Sequence, residues 1–400
     1  MSQAETKPFD LPALLAPIAV EDFFRAHWER QPLHVPRGDA HHYDSIISNA
    51  DLERIISSAD LRYPAIQLAR NGAYLPAEAY TKAIKHGSEF FNGVPDLQQV
   101  QSEYRSGATV VLPALQRTWG PLRELCALLE KDFSHPAHAN AYLTPGESPG
   151  FTPHYDTHEV FVLQIAGTKR WRVFPPPQHL PHRSQPFVPI GYVLPAPIAE
   201  LELKPGDLLY LPRGYVHAAN TSRGHSAHIT VGMTVYTWVE LIAELIGSAR
   251  ETAQFRTALP PGFATRDDLK KTLRDGLLQC MDQLRNSADD RLIESFLQKV
   301  RAGRIPPEKT FQSGVRVVGL QTELKVPEAG SYRVVMENRN TVLEFAGRKF
   351  VLPEKIRATV DDMCRRKSFR PADLSGPLDN EGKLTLARYL HGERFLALVD

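Results

Sequence analysis

Residues Gly150 to Phe174 read G-F-T-P-H-Y-D-T-H-E-V-F-V-L-Q-I-A-G-T-K-R-W-R-V-F, and this stretch decides how the chain is read. Its second half is dense in β-branched and aromatic residues, which favour strands, and a tight turn is expected near Gly167. On an extended chain residues two apart share a face, so His154 and Asp156 can aim an imidazole nitrogen and a carboxylate oxygen at one point. Taken alone, H-x-D also fits a hydrogen-bonded strand histidine followed by a turn aspartate.

The candidate third ligand lies in K-P-G-D-L-L-Y-L-P-R-G-Y-V-H, Lys204 to His217, at 217 − 154 = 63 residues from His154. Pro205 and Gly206 supply turn chemistry, Leu208 to Leu211 read as a short strand, and Pro212 to Gly214 bend the chain before His217. Only a closed or folded-back sheet brings such distant strand ends together. Two imidazoles and one carboxylate on one face of a metal, with open positions opposite, is the ligand set of non-heme Fe(II) oxygenases. Lys169 follows His154 by 169 − 154 = 15 residues, on the next expected strand, where a cation can reach into the same barrel.

Four segments together carry a resemblance: N-A-Y-L-T-P (Asn140 to Pro145), P-H-Y-D-T-H-E-V-F-V-L-Q, G-T-K-R-W-R-V and P-G-D-L-L-Y-L-P-R-G-Y-V-H. In this order they resemble the JmjC-type 2-oxoglutarate oxygenases, and among those the ribosomal oxygenases, which hydroxylate side chains of ribosomal proteins. The resemblance implies Fe(II) held by His154, Asp156 and His217, and 2-oxoglutarate with its distal carboxylate on Lys169. It places Asn140 and Tyr142 among the polar residues lining the co-substrate pocket. The last barrel strand departs from the pattern: Gly232 stands where eukaryotic relatives carry a small hydroxyl residue, with Ser226 and Thr230 nearby, which leaves one co-substrate contact open.

The implied fold class is α+β: a double-stranded β-helix, the cupin or JmjC jelly roll, with N-terminal helices, a helical dimerisation region and a C-terminal winged-helix domain. We expect an oxygenase domain over residues 1–238 with its barrel core at about 108–236, the dimerisation region over 239–304 and the winged helix over 305–400. The N-terminal helix is expected over Val20 to Arg30, followed by an extended Gln31 to Pro36. Within the barrel, Phe174 to Glu200 contains eight prolines and reads as a stiffened loop at the substrate groove. His179 and His182 in that loop read as surface histidines, and His158 as a neighbour of metal or substrate that does not itself ligate.

Beyond the barrel, Val239 to Thr252 and Asp267 to Val300 carry helical apolar stripes that need a partner surface, and the resembling family dimerises through helices here. Arg301 to Lys309, with Gly303 and Pro306-Pro307, reads as a boundary. V-R-V-V-G-L and Y-R-V-V-M-E read as strands, Pro353 to Arg366 and Leu384 to Leu390 as helices, and Phe395 to Val399 as a terminal strand. The run Arg365-Arg366-Lys367 sits at a helix C-terminus, where the macrodipole already favours cations, so a protein contact is the preferred reading over direct nucleic-acid binding.

Composition sets bounds around this. Four hundred residues exceed one core, and 42% hydrophobic with 23% charged residues is globular usage. A net charge of +1 makes no electrostatic case for nucleic acid or membrane. The three cysteines, Cys126, Cys280 and Cys364, suggest neither a disulfide framework nor a zinc cluster. The first ten residues lack a signal pattern and no apolar run spans a bilayer, so a cytoplasmic location is expected. The expected function is hydroxylation of a His or Arg side chain of a ribosomal protein by a homodimer. The alternatives are an N-methyl-lysine demethylase, a small-molecule hydroxylase and, from another class, a non-catalytic ribosome- or DNA-binding protein.

Overall fold

The computed structural model describes residues 8–57, 61–87, 89–148, 150–221, 224–304, 318–328, 330–345 and 348–399. They fall into two compact units, Met1–Thr237 with Arg304–Glu308, and Trp238–Gly303 with Lys309–Asp400. The first unit begins with α1 (Leu11–Leu15), α2 (Val20–Ala26), β1 (Leu33–Val35), α3 (Asn49–Ser57), β2 (Gln67–Arg70) and β3 (Ala73–Tyr74). A hairpin of β4 (Thr81–His86) and β5 (Glu89–Pro95) leads to α4 (Leu97–Arg105), β6 (Thr109–Leu112) and α5 (Gly120–Phe133). The remaining strands are β7 (Ala137–Thr144), β8 (Glu159–Ala166), β9 (Lys169–Val173), β10 (Ala199–Leu203), β11 (Leu208–Leu211), β12 (His217–Thr221) and β13 (Ser226–Met233).

Eight strands form one sheet in the order β1-β11-β8-β13-β7-β6-β2-β3, and three form a second, β10-β9-β12. All pairings in both are antiparallel. One face of the large sheet, with Ala139, Ala141, Leu163, Ile229 and Val231, shares a core with Phe23, Leu122, Leu125 and Leu129 of the helices. The other face packs on the small sheet, placing Val160, Val162, Leu209 and Leu211 against Trp171, Val173 and Leu203. The result is a cupin-like β-sandwich with helices on its outer face. Strand β8 is covered on both sides, which is why E-V-F-V-L-Q-I-A reads as a nearly unbroken apolar run.

Turn chemistry fixes the strand ends. Gly167 has φ of 59°, and a Cβ there would come within 1.7 Å of the His225 carbonyl oxygen, so only glycine can link β8 to β9. Helix α2 is shorter than the expected Val20 to Arg30. It ends at Ala26 because tertiary contacts capture the residues after it: Glu29, at φ 57°, donates its N–H to Tyr210 Oη and pairs its carboxylate with Arg213. The expected extended segment beyond it forms β1 on the edge of the large sheet, paired with β11.

In the second unit, α6 (Trp238–Ala249) matches the first expected helix, but the single helix expected over Asp267 to Val300 is two, α7 (Leu269–Ser287) and α8 (Asp290–Ala302), because Asp289 caps a new helix by accepting from the Leu292 N–H. They are followed by β14 (Leu324–Lys325), β15 (Tyr332–Glu337), β16 (Asn340–Phe345), β17 (Arg348–Pro353), α9 (Arg357–Cys364), β18 (Ser368–Phe369), α10 (Asn380–Gly392) and β19 (Ala397–Leu398). Two three-stranded sheets, β18-β14-β19 and β15-β16-β17, pack with α9 and α10 around Leu324, Leu343, Val360, Met363 and Leu390. The strand expected at V-R-V-V-G-L is not formed over Val318 to Leu320, and its first three residues, like 305–309 of the expected boundary, lie outside the described residues. Among the described residues no helix is long and apolar enough to cross a membrane. All three cysteines are free thiols.

Candidate active site

His154 and Asp156 stand on an extended segment that is not a regular strand; it precedes β8 and is tied to β12 by a single bridge. The bridge pairs His154 with His217, its backbone bonds measuring 3.2 and 2.8 Å. A third backbone bond, from the Gly214 N–H to the Asp156 carbonyl at 3.0 Å, pins the turn before β12 to the same segment. The 63-residue separation in sequence is thereby closed, and the ligand-type atoms of His154, Asp156 and His217 all lie within 4.8 Å of one another.

The donor set fits a divalent transition metal with open positions. His154 Nδ1 donates to the Thr152 carbonyl at 2.7 Å and His217 Nδ1 to the Tyr215 carbonyl at 3.1 Å. With each Nδ1 proton so used, the neutral ring keeps an Nε2 lone pair, the arrangement typical of metal-binding histidines. Those Nε2 atoms lie 4.0 and 3.6 Å from the two Asp156 oxygens. Burial, with the nearby His154 ring adding to it, pushes His217 down to about 4, so it is neutral at physiological pH. Burial alone would raise the Asp156 carboxyl, but the imidazoles of His158, His217, His154 and His138 outweigh it and hold the group below its usual range.

A cavity of about 230 Å³ opens from this cluster and runs to Lys169. Lys169 is buried, its Nζ donating to Thr144 Oγ1 at 3.1 Å, and burial without a paired acid pushes its ammonium down to about 7. A buried cation with no carboxylate beside it among the described residues is a site for an anionic ligand group. The His228 ring stacks on Tyr142 at 5.0 Å and 9°, and stands edge-on to Trp171. His228 Nδ1 and Trp171 Nε1 are buried with no hydrogen-bond partner among the described residues, which leaves polar capacity for a bound molecule.

Asn140 and Tyr142 also line the cavity. Asn140 Oδ1 accepts from the Ala114 N–H at 2.9 Å and its amide bonds the Tyr142 phenol, whose acidity burial suppresses. All six residues singled out from the sequence therefore border one cavity. Thr230 lines it opposite Asn140, whereas Ser226 is spent on Gln164 Nε2 at 2.9 Å. His179 is exposed and His182 bonds Ser184 Oγ at 2.8 Å, in keeping with surface histidines.

Sequence reasoning missed His138, Thr144 and His228. The signal was there: in H-A-N-A-Y-L-T the polar side chains fall on every second residue, so His138 and Thr144 share the face of Asn140 and Tyr142. It also missed a buried ionic network behind the site, in which Arg213 pairs with Glu159 at 2.7 Å and with Glu29, while Tyr210 donates to Glu159 at 2.5 Å. Glu159 and Arg213 flank the metal-type ligands in sequence, so the network braces both ligand-bearing segments against the N-terminal helices.

A family model for the JmjC domain matches residues 118–241. "Ribosomal oxygenase 1" of Gallus gallus is 34% identical over 258 residues, covering 62% of this chain and 41% of that protein. "Bifunctional lysine-specific demethylase and histidyl-hydroxylase NO66" of Drosophila persimilis is 32% identical over 261 residues, covering 62% and 36%. "Ribosomal oxygenase 2" of Mus musculus is 31% identical over 324 residues, covering 75% and 66%. The chain thus spans about two fifths of the length of the first two of these curated relatives.

Proposed function

The chain belongs to the ribosomal oxygenases of the JmjC family, and on that premise we propose that it is an Fe(II)- and 2-oxoglutarate-dependent oxygenase hydroxylating a His or Arg side chain of a ribosomal protein. The observation that carries this is the convergence of two imidazoles and a carboxylate beside a cavity whose far end holds a buried Lys169 with no carboxylate partner among the described residues. His154, Asp156 and His217 would hold the iron, and the carbonyls of Thr152 and Tyr215 keep the two rings in the ligating tautomer. When bound, iron and 2-oxoglutarate supply the activation of dioxygen that yields succinate and CO2 and inserts one oxygen atom into a substrate C–H bond.

The chain's own contribution is placement. Lys169 and Thr144 receive the distal carboxylate of 2-oxoglutarate, and Asn140 and Tyr142 line its flank. Trp171 and Val160 keep that end of the cavity apolar and strengthen the Lys169 contact by excluding water. The proline-rich loop anchors on Tyr155, between the two candidate ligands: Tyr155 Oη donates to the Gln185 carbonyl at 3.1 Å and its ring meets Phe187. That anchoring supports the loop as one wall of the substrate groove.

The reading extends to the rest of the chain: an oxygenase domain over 1–238, a helical dimerisation region over 239–304 and a winged-helix-like domain over 305–400. Exposed Trp238, Ile242, Ile246, Leu277 and Met281 on α6 and α7 support a homodimer. Arg365 and Arg366 both pair with Asp362, which supports a protein-contact role for that domain over nucleic-acid binding. A cytoplasmic location beside the ribosomal substrate is part of the same proposal. The demethylase reading stays in play through one relative's name. The test is 2-oxoglutarate turnover with Fe(II), followed by mass spectrometry of ribosomal proteins. A peptide heavier by one oxygen supports the hydroxylase, formaldehyde release the demethylase, and no turnover the non-catalytic binding protein.

A further inference from the structure

Strands β7 and β13 lie side by side, and every second residue of each forms a ladder of opposed pairs: Thr144 with Ser226, Tyr142 with His228, Asn140 with Thr230, His138 with Gly232. Lys169 marks the Thr144 end. The His138 end is six residues away along β7, or roughly 20 Å at strand rise. At that end the ladder breaks, because Gly232 has no side chain. A Cβ there would come within 2.5 Å of two atoms of the His138 ring and 2.7 Å of His158 Cδ2. Those two imidazoles lie 5.1 Å apart across the gap. The glycine is thus a steric requirement of the histidine pair.

His158 borders the cavity. Beside His138, it lies at the end of the ladder opposite Lys169. Its Nδ1 and Nε2 offer one donor and one acceptor, and it is not one of the three convergent ligand residues. A co-substrate anchored on Lys169 and reaching the cluster fills the cavity from one end, leaving the His158 end for the second reactant.

We propose that His158 holds the polar end of the side chain to be oxidised by a hydrogen bond, with His138 and Gly232 as positioning residues that fix the His158 ring in place. This rests on the oxygenase reading above. It makes the pair across Gly232 a determinant of which substrate is accepted. The open contact at this position, expected from the sequence to concern the co-substrate, then concerns the substrate.

The experiment uses the full chain loaded with Mn(II) and 2-oxoglutarate and the ribosomal peptide that the parent protein hydroxylates. Peptide affinity is measured by calorimetry and Mn(II) affinity separately, and hydroxylation kinetics are measured with Fe(II). His158→Ala is expected to weaken peptide binding by about tenfold to a hundredfold, the loss of one buried hydrogen bond, with the change in KM exceeding that in kcat. His158→Gln, which keeps a donor and an acceptor, should recover much of it. Gly232→Ala should weaken the peptide similarly, and the double variant Gly232→Ala/His138→Ala should bind better than Gly232→Ala alone, because the nearest obstructing ring is gone.

Unchanged peptide affinity in His158→Ala overturns the proposal. So does a matching loss of Mn(II) affinity, which would assign the ring to the metal. If Gly232→Ala does not fold, the His158 pair of variants decides alone. A parent that hydroxylates no ribosomal peptide fails the function reading itself and withdraws this inference with it, an outcome separate from an active parent indifferent to His158.

Discussion

The first unit buries Lys169, His217, His228, Gln164, Glu159 and Arg213, whereas the buried polar groups of the second unit are Thr341, Thr359 and Asp362 among the described residues. The second unit closes on aliphatic and aromatic side chains such as Leu324, Leu343, Phe350 and Val360. Its one buried acid is matched by Arg366 and by the Ser375 N–H, at 3.0 and 2.9 Å. Taking an ion out of water costs several kcal/mol, so a fold keeps buried charge where a partner or a ligand offsets it. The first unit therefore carries a burial cost that internal pairs such as Glu159–Arg213 offset only in part, and the second rests mainly on hydrophobic burial.

Substitutions put that contrast to the test. The largest effect is expected from Asp156→Ala, which removes the only anionic donor of the cluster: 2-oxoglutarate turnover should fall by about ten-thousandfold with the circular dichroism spectrum unchanged. Turnover surviving this change would take away the ligand role on which the contrast rests. Next comes Arg213→Ala, which leaves Glu159 buried without its cation and should cost about 3–5 kcal/mol in denaturant unfolding of the first unit. A loss below about 1 kcal/mol would mean that water or Tyr210 suffices for Glu159.

Lys169→Ala should raise the KM for 2-oxoglutarate by about a hundredfold. In the parent protein the pH dependence has a definite sign. Burial has brought the Lys169 ammonium from 10.5 to about 7, so below pH 7 the site is already charged and affinity is flat. Above pH 7 a proton must be taken up with the anion, and affinity should fall as pH rises, by up to about tenfold per unit. A flat profile from about pH 6 to 9 would show that the lysine keeps its proton unaided. The smallest effect belongs to the second unit. Asp379 caps α10 by accepting from the Gly382 N–H at 2.8 Å, and Asp379→Ala should cost about 1 kcal/mol while leaving the KM for 2-oxoglutarate untouched.

The metal-type cluster was legible because H-Y-D and Y-V-H carry local chemistry at short range, and the turns around Gly206 and Gly214 announce where strands end. The alternation in H-A-N-A-Y-L-T was equally visible, yet His138 went unread because a single histidine at a strand start has no meaning until its opposite residue is known. That residue, Gly232, comes 232 − 138 = 94 positions later, and only the register of β7 against β13 pairs them. The same holds for Glu29, Glu159 and Arg213. Each reads as a surface charge by residue type, and the network exists because three distant segments meet.

Short windows of the chain were enough to set the residue types able to bind a metal and an anion, the strand and turn chemistry that orders them, and the helical stripes of the second half. Side-chain donor chemistry and periodicities of 2 and 3.6 residues act within such windows. Long-range packing settled that α2 stops at Ala26, that Lys169 is buried with no counter-ion among the described residues, and that two imidazoles share the space above a glycine. Burial, pairing and steric exclusion depend on what lies across the sheet, and strand register, not local propensity, fixes that.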